Sequence, residues 1–207
     1  MMDDHYMKIS ILDRILLLLV SLLSAWQVAV GINGFSTLPI IAYTIGFGTL
    51  VVSGLLLIIL GWEALESSFV VIISSLIPAS LSLGLVWEYL PGFRYIYLLF
   101  TFVGFLAILA TRLIKNSSNL PLIILAVTHG IEGLMLSLLP IWLVLQGRSP
   151  ALFLLVGIGG AVNGLAGLLL VFMKSGKPII SPSITLHILP GVMLASTAAF
   201  VIGFSFF

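Results

Sequence analysis

The sequence predicts an all-α integral membrane protein of seven transmembrane helices, built as a three-plus-one-plus-three parallel internal repeat. Three observations lead there. Hydrophobic residues make up 61% of the 207-residue chain and charged residues 7%, whereas an ordinary soluble domain carries about 25% charged residues. Apolar stretches recur, each long enough to cross a bilayer, which takes roughly 20 residues in a helix. And short patterns in the first three stretches return, in order, in the last three.

The first span, approximately 10–30, follows the charged start "MMDDHYMKIS". Its apolar run continues without a small-residue cleavage site, so it reads as a retained helix and not as a signal peptide. "GINGFSTLP" separates it from the second span, 39–60, and "GWEALESS" separates that from the third, 67–89. "PGFR" precedes the fourth, 93–113, and "KNSSNLP" the fifth, 120–145. "QGRSP" introduces the sixth, 150–173, and "KSGKPIISPS" the seventh, 183–206. Every break is rich in Gly, Pro, Ser or Asn, or carries charge, as turns between helices do. The whole chain, 1–207, is thus one transmembrane domain with short loops and no extramembrane module.

Charge sets the expected orientation. Seven spans place Lys8, Arg14, Arg112, Lys115, Lys174 and Lys177 on one side and Arg94 and Arg148 on the other. Basic residues accumulate on the cytoplasmic side, so the N-terminus is expected to be cytoplasmic and the C-terminus external. Trp26, Trp87 and Trp142 then fall at the outer interface and Trp62 at the inner one, as an aromatic belt. Glu88 and Arg94 are expected to form a solvated pair at the outer end. A net charge of +1 gives no reason to expect a nucleic-acid partner. The absence of cysteine excludes disulfides, thiolate chemistry and iron–sulfur ligation by cysteine.

The repeat rests on three echoes. "LLSAWQVAVG" in span one answers "LLPIWLVLQG" in span five, taking Trp26 to Trp142, an offset of 116. "GLLLIIL" from Gly54 answers "GLLLVFM" from Gly167, an offset of 113; "LIPA" around Pro78 answers "ILPG" around Pro190, an offset of 112. Matches in order at nearly one spacing point to duplication. The halves run approximately 10–89 and 120–206, with span four as linker, and four intervening helices give both halves the same orientation.

Ionisable residues inside membrane helices are costly and face interiors or functional sites. "THGIEG" in span five carries His129 and Glu132, which share a helical face. "HGIEGLML" has a counterpart in "HILPGVML", so His187 in span seven is the second candidate, and Asn163 lies mid-span in span six between them. His129, Glu132, Asn163 and His187 therefore form the candidate ligand or proton-relay set, with His129 and His187 as metal ligands. Under the repeat Glu132 falls against a leucine of span one, so the polar cluster belongs to the second half and the first half serves as packing framework. Gly130 and Gly133 are expected to admit a neighbouring helix closely. A purely structural role is the competing reading, with His129 bonded to a backbone carbonyl and Glu132 to a neighbour.

Several chemistries would use this set. Glu132 and the histidines suit a proton or solute path. One or both histidines suit a haem or pigment. His129, Glu132 and His187 together suit a non-haem metal. Retinal attachment would need a lysine inside span seven, and there is none. "GIGGAVNGLAG" follows a membrane span and no strand, so it is a helix-packing face and not a dinucleotide loop. No Ser–His or Asp–Asp spacing points to catalysis. The sequence thus favours a non-catalytic accessory or structural subunit of a larger membrane complex, contacting lipid, other membrane subunits and a haem or pigment. The alternative is a small-solute or proton-coupled transporter.

Overall fold

A computed structural model of the chain describes residues 8–114, 119–174 and 176–205. Lys115 and the final residue assigned to the seventh span lie outside these. Seven α-helices follow one another: α1 (Ile11–Val30), α2 (Thr37–Leu60), α3 (Ser68–Tyr89), α4 (Arg94–Leu113), α5 (Leu120–Leu145), α6 (Leu154–Lys174) and α7 (Pro182–Phe204). All seven are long and apolar enough to cross a membrane, and no strand occurs among the described residues.

Local chemistry explains the boundaries. Ser10 caps α1 by accepting from Asp13 N at 3.0 Å, while Asp13 Oδ2 accepts from Ser10 N at 3.0 Å, a reciprocal capping box. That bond explains how Asp13 is buried although it is an acid. α2 begins two residues before its expected start, because Pro39 is tolerated within a first turn whose N–H groups have no helical partner. It ends at Gly61, whose φ of 67° is left-handed and comfortable only for glycine. A 3-10 segment, Gly61–Glu66, then leads into α3. α6 begins later than expected, at Leu154, because Pro150 and one 3-10 turn (Ala151–Phe153) precede it.

Consecutive helices run antiparallel. Six of them close a cycle of neighbours in the order α1, α2, α3, α5, α6, α7, and α4 lies outside it against α3 and α5. Bare glycine backbones set several crossings. A methyl group at Gly157 would stand 2.6 Å from the Ser137 carbonyl of α5, and one at Gly159 would stand 3.0 Å from the Ser196 carbonyl of α7. Gly46 meets Ser80 and Leu81 in the same manner on the other side. The expectation for Gly130 and Gly133 fails: a methyl group at either would meet nothing within 4 Å.

The axis of the cycle is packed. Towards the end where α1 finishes, Phe204 is the hub of an aromatic cluster, with ring centroids 4.5 Å from Tyr43, 5.9 Å from Phe153 and 6.2 Å from Phe35 and Phe47. Towards the end where α1 starts, Leu17, Leu57, Trp62, Ala64, Val70, Ala166 and Leu189 fill the interior. Trp62 is a core residue, whereas Trp26 and Trp142 are exposed on the bundle surface. Arg94 and Arg148 lie over the rings of Trp87 and Trp142, at 5.7 and 5.4 Å. The expected Glu88–Arg94 pair is replaced: Glu88 Oε2 accepts from Ser36 N (3.2 Å) and Oγ (2.8 Å), tying α3 to the start of α2, and Arg94 Nε donates to the Trp87 carbonyl.

Candidate functional site

α5 buries Thr128, Glu132, Leu136, Leu139, Pro140 and Leu143, which recur along one helical face. Glu132 is 1% exposed, at the middle of the helix. The buried face of α4 reads Tyr97, Thr101, Gly104 and Ile108. Gly104 brings the two helices together, since a methyl group there would stand 2.8 Å from Thr128 Cγ2. α3 supplies Ser82, whose Oγ accepts from the Tyr97 hydroxyl at 3.0 Å. Glu132 thus sits in the seam of α3, α4 and α5, within electrostatic range of the Tyr97 phenol.

His129 lies one turn from Glu132, with Nδ1 3.8 Å from Glu132 Oε2, too long for a hydrogen bond. Its side chain is 35% exposed, so it forms the lip of the site while Glu132 forms the floor. Arg112, near the end of α4, lies within electrostatic range of His129. Glu132 Oε2, His129 Nδ1 and Arg112 Nε are all buried atoms without a hydrogen-bond partner.

The surrounding hydroxyls explain why the carboxyl has no donor. Thr128 Oγ1 donates to Ile124 O at 2.8 Å, and Thr101 Oγ1 donates to Tyr97 O at 3.1 Å. Tyr97 donates to Ser82, which donates in turn to Ala79 O at 3.2 Å. In a bilayer, where water is scarce, Ser and Thr bond back to their own helix carbonyls. Every hydroxyl in the seam is committed that way or to another hydroxyl, and none serves the carboxyl.

The other two sequence candidates do not join. His187 is exposed on α7, and its Nδ1 lies 2.9 Å from Ser183 O one turn back. α7 packs on α6 and α1, while α5 packs on α3, α4 and α6. The expected His129–Glu132–His187 metal set is therefore not assembled. Among the described residues no three His, Cys, Asp or Glu side chains group together to hold a metal. Asn163 is half-buried on α6 and makes no hydrogen bond among the described residues. The reason for the misplacement is positional: α5 and α7 are not close neighbours in the cycle of helices, so the two histidines lie on helices that do not pack side by side.

Helices α3 and α4 thus contribute to the site. Ser82, Tyr97, Thr101, Arg112 and Thr128 were missed as contributors. Two signals could have found most of them: Thr128 precedes Glu132 by four residues, and Tyr97, Thr101 and Gly104 form one stripe on α4. No family of known proteins, no curated protein and no solved structure matches this chain.

Proposed function

We propose that this chain is a non-catalytic subunit of a larger membrane assembly, and that the α3–α4–α5 seam is where it holds a polar group brought by a partner or ligand. The observation that carries this is the Glu132 carboxyl, 1% exposed and without a hydrogen-bond donor, beside a half-open histidine. Burying such a group unmatched costs roughly 2.5–3.5 kcal/mol on insertion scales, and a self-contained scaffold would replace it. A packed axis fits a subunit better than a conduit. The group supplied from outside is a donor: a backbone or side-chain N–H or O–H of a neighbouring helix, or the polar edge of a haem or pigment. His129 is the ligand within this site, and His187 is a separate exposed imidazole.

A second reading has its own support. Arg112 in the last turn of α4, His129 and Glu132 on α5, and Tyr97 in the first turn of α4 form a series of groups that suits proton transfer in a small carrier.

Duplication and orientation belong to the same proposal. Each half places its helices alike: α1 with α2 and α5 with α6, α2 with α3 and α6 with α7, α1 with α7 and α5 with α3. A two-fold exchange of the halves about the membrane normal generates that pairing, and it supports the three-plus-one-plus-three repeat. The basic excess at the end where α1 starts supports a cytoplasmic N-terminus and an external C-terminus.

Gentle extraction from native membrane, followed by an absorbance spectrum and analysis of co-purifying chains, tests the function. Wild-type protein is expected to bring a partner or chromophore that Glu132→Gln loses. A lone colourless chain that dissipates a pH gradient in vesicles, and ceases to with Glu132→Gln, would replace the subunit reading by the carrier.

A further inference from the structure

At the end of the bundle where α1 starts, residues 8–10 cross the junction between α2 and the 3-10 segment. The segment passes Gly61 at ordinary van der Waals distance: a methyl group there would stand 3.9 Å from Ile9 Cγ2. Ile9 packs into the interior beside Leu57 and Trp62, which pins the segment. Beneath it lies a cleft of about 270 Å³ lined by Lys8, Ile9, Arg14, Ile59, Leu60, Gly61, Trp62 and Glu63. Lys8 and Arg14 are both exposed, and neither side chain has a hydrogen bond or ion pair among the described residues. Asp13, next to Arg14, is turned inward by its capping bonds. The cleft therefore carries two cations against one carboxylate, Glu63. Its apolar wall continues into Ile59, 74% exposed, and on to the outward surface of α1 and α2.

We propose that this cleft binds the phosphodiester headgroup of an anionic phospholipid, with Lys8 and Arg14 on the phosphate and an acyl chain running down past Ile59. Three features point the same way. The cleft lies at the level of the helix ends, where headgroups lie when helices span a bilayer. Its net charge of +1 matches a phosphodiester's single negative charge. Its lining changes from basic to apolar along the direction in which a lipid changes from headgroup to chain. Basic pockets between helix ends recognise anionic headgroups in this way. The site is independent of the Glu132 seam.

Native mass spectrometry of the full chain, released from detergent with added phosphatidylglycerol or phosphatidylcholine, tests the assignment. Wild-type protein is expected to retain phosphatidylglycerol preferentially. Each of Lys8→Gln and Arg14→Gln should cut that preference about fivefold, Arg14→Lys should largely restore it, and Glu63→Gln should raise it. Melting temperatures near wild-type show that the variants are folded, and any variant that fails this is replaced by its Lys8→Ala or Arg14→Ala equivalent. Equal retention of both lipids by wild-type protein would overturn the proposal. So would a preference that survives the double variant, which would move the site to Arg112, Lys174 or Lys177. Displacement by millimolar inorganic phosphate with no preference between lipids would show a free-phosphate site instead.

Discussion

Helices α1 and α5 occupy matching places: each packs on the helix that follows it and on the third helix of the other half. Both bury polar side chains, but they satisfy them differently. On α1, Asp13 closes a capping box with Ser10, Ser21 donates to Leu17 O at 3.1 Å, and Gln27 Nε2 donates to Gly31 O at 2.8 Å. Ser24 Oγ and Gln27 Oε1 lack partners. On α5, Thr128 bonds to its own helix, and Glu132 has no hydrogen-bond partner among the described residues, only His129 Nδ1 at 3.8 Å. α1 meets most of its buried polar groups within its own helix and cap, whereas α5 leaves its buried carboxyl without a hydrogen-bond partner among the described residues.

The largest expected effect breaks the packing that both helices share. Gly157→Leu drives a side chain into the Ser137 carbonyl of α5 and is expected to cost about 3 kcal/mol, read as a lower melting temperature in detergent. Gly130→Ala, with nothing within 4 Å, is expected to stay within about 0.5 kcal/mol. Equal losses would mean that the α5–α6 crossing is not set by glycine.

Asp13→Ala tests how α1 meets its buried polar groups. Loss of the capping box is expected to cost about 1 kcal/mol, and Ser10→Ala in the same background should then add little, because the two bonds form as a unit. Tyr97→Phe comes next, at about 0.5–1.5 kcal/mol for the bond to Ser82. Because Tyr97 donates to Ser82 and not to Glu132, the effects of Tyr97→Phe and Glu132→Gln should add within about 0.5 kcal/mol. Strong coupling in that cycle would mean that the phenol serves the carboxyl after all. The smallest effect is expected for His187→Leu, within about 0.5 kcal/mol and without change in any chromophore. A bleached spectrum would move the ligand from His129 to α7.

The helices were legible because length and hydropathy alone mark segments able to cross a bilayer; turn chemistry located their ends to within a few residues. Gly61 and Pro150 show where that chemistry left detail open, since a left-handed glycine and a 3-10 turn shift a boundary without changing composition. Glu132 was legible as a buried group because its cost does not depend on which helix covers it. Which helices cover it was not, because seven nearly uniform apolar helices carry little rotational information. The His-x-x-x-Gly-x-Met-Leu echo suggested that α5 and α7 meet at their histidines, yet equal spacing along two helices says nothing about whether their faces converge. Tyr97 and Ser82 were missed for a related reason: a hydroxyl that bonds back to helix or neighbour costs little, so it leaves no anomaly to read.

The central claim is that Glu132 is retained for an outside donor and not for the fold of the chain itself. Glu132→Met keeps the volume and removes the unmatched acceptor. Thermal unfolding of the isolated protein, paired with co-purification from native membrane, separates the two roles. The variant is expected to be more stable alone, by about 1–3 kcal/mol, and to lose its partner or ligand. A variant that is less stable alone while still retaining the partner would contradict the account.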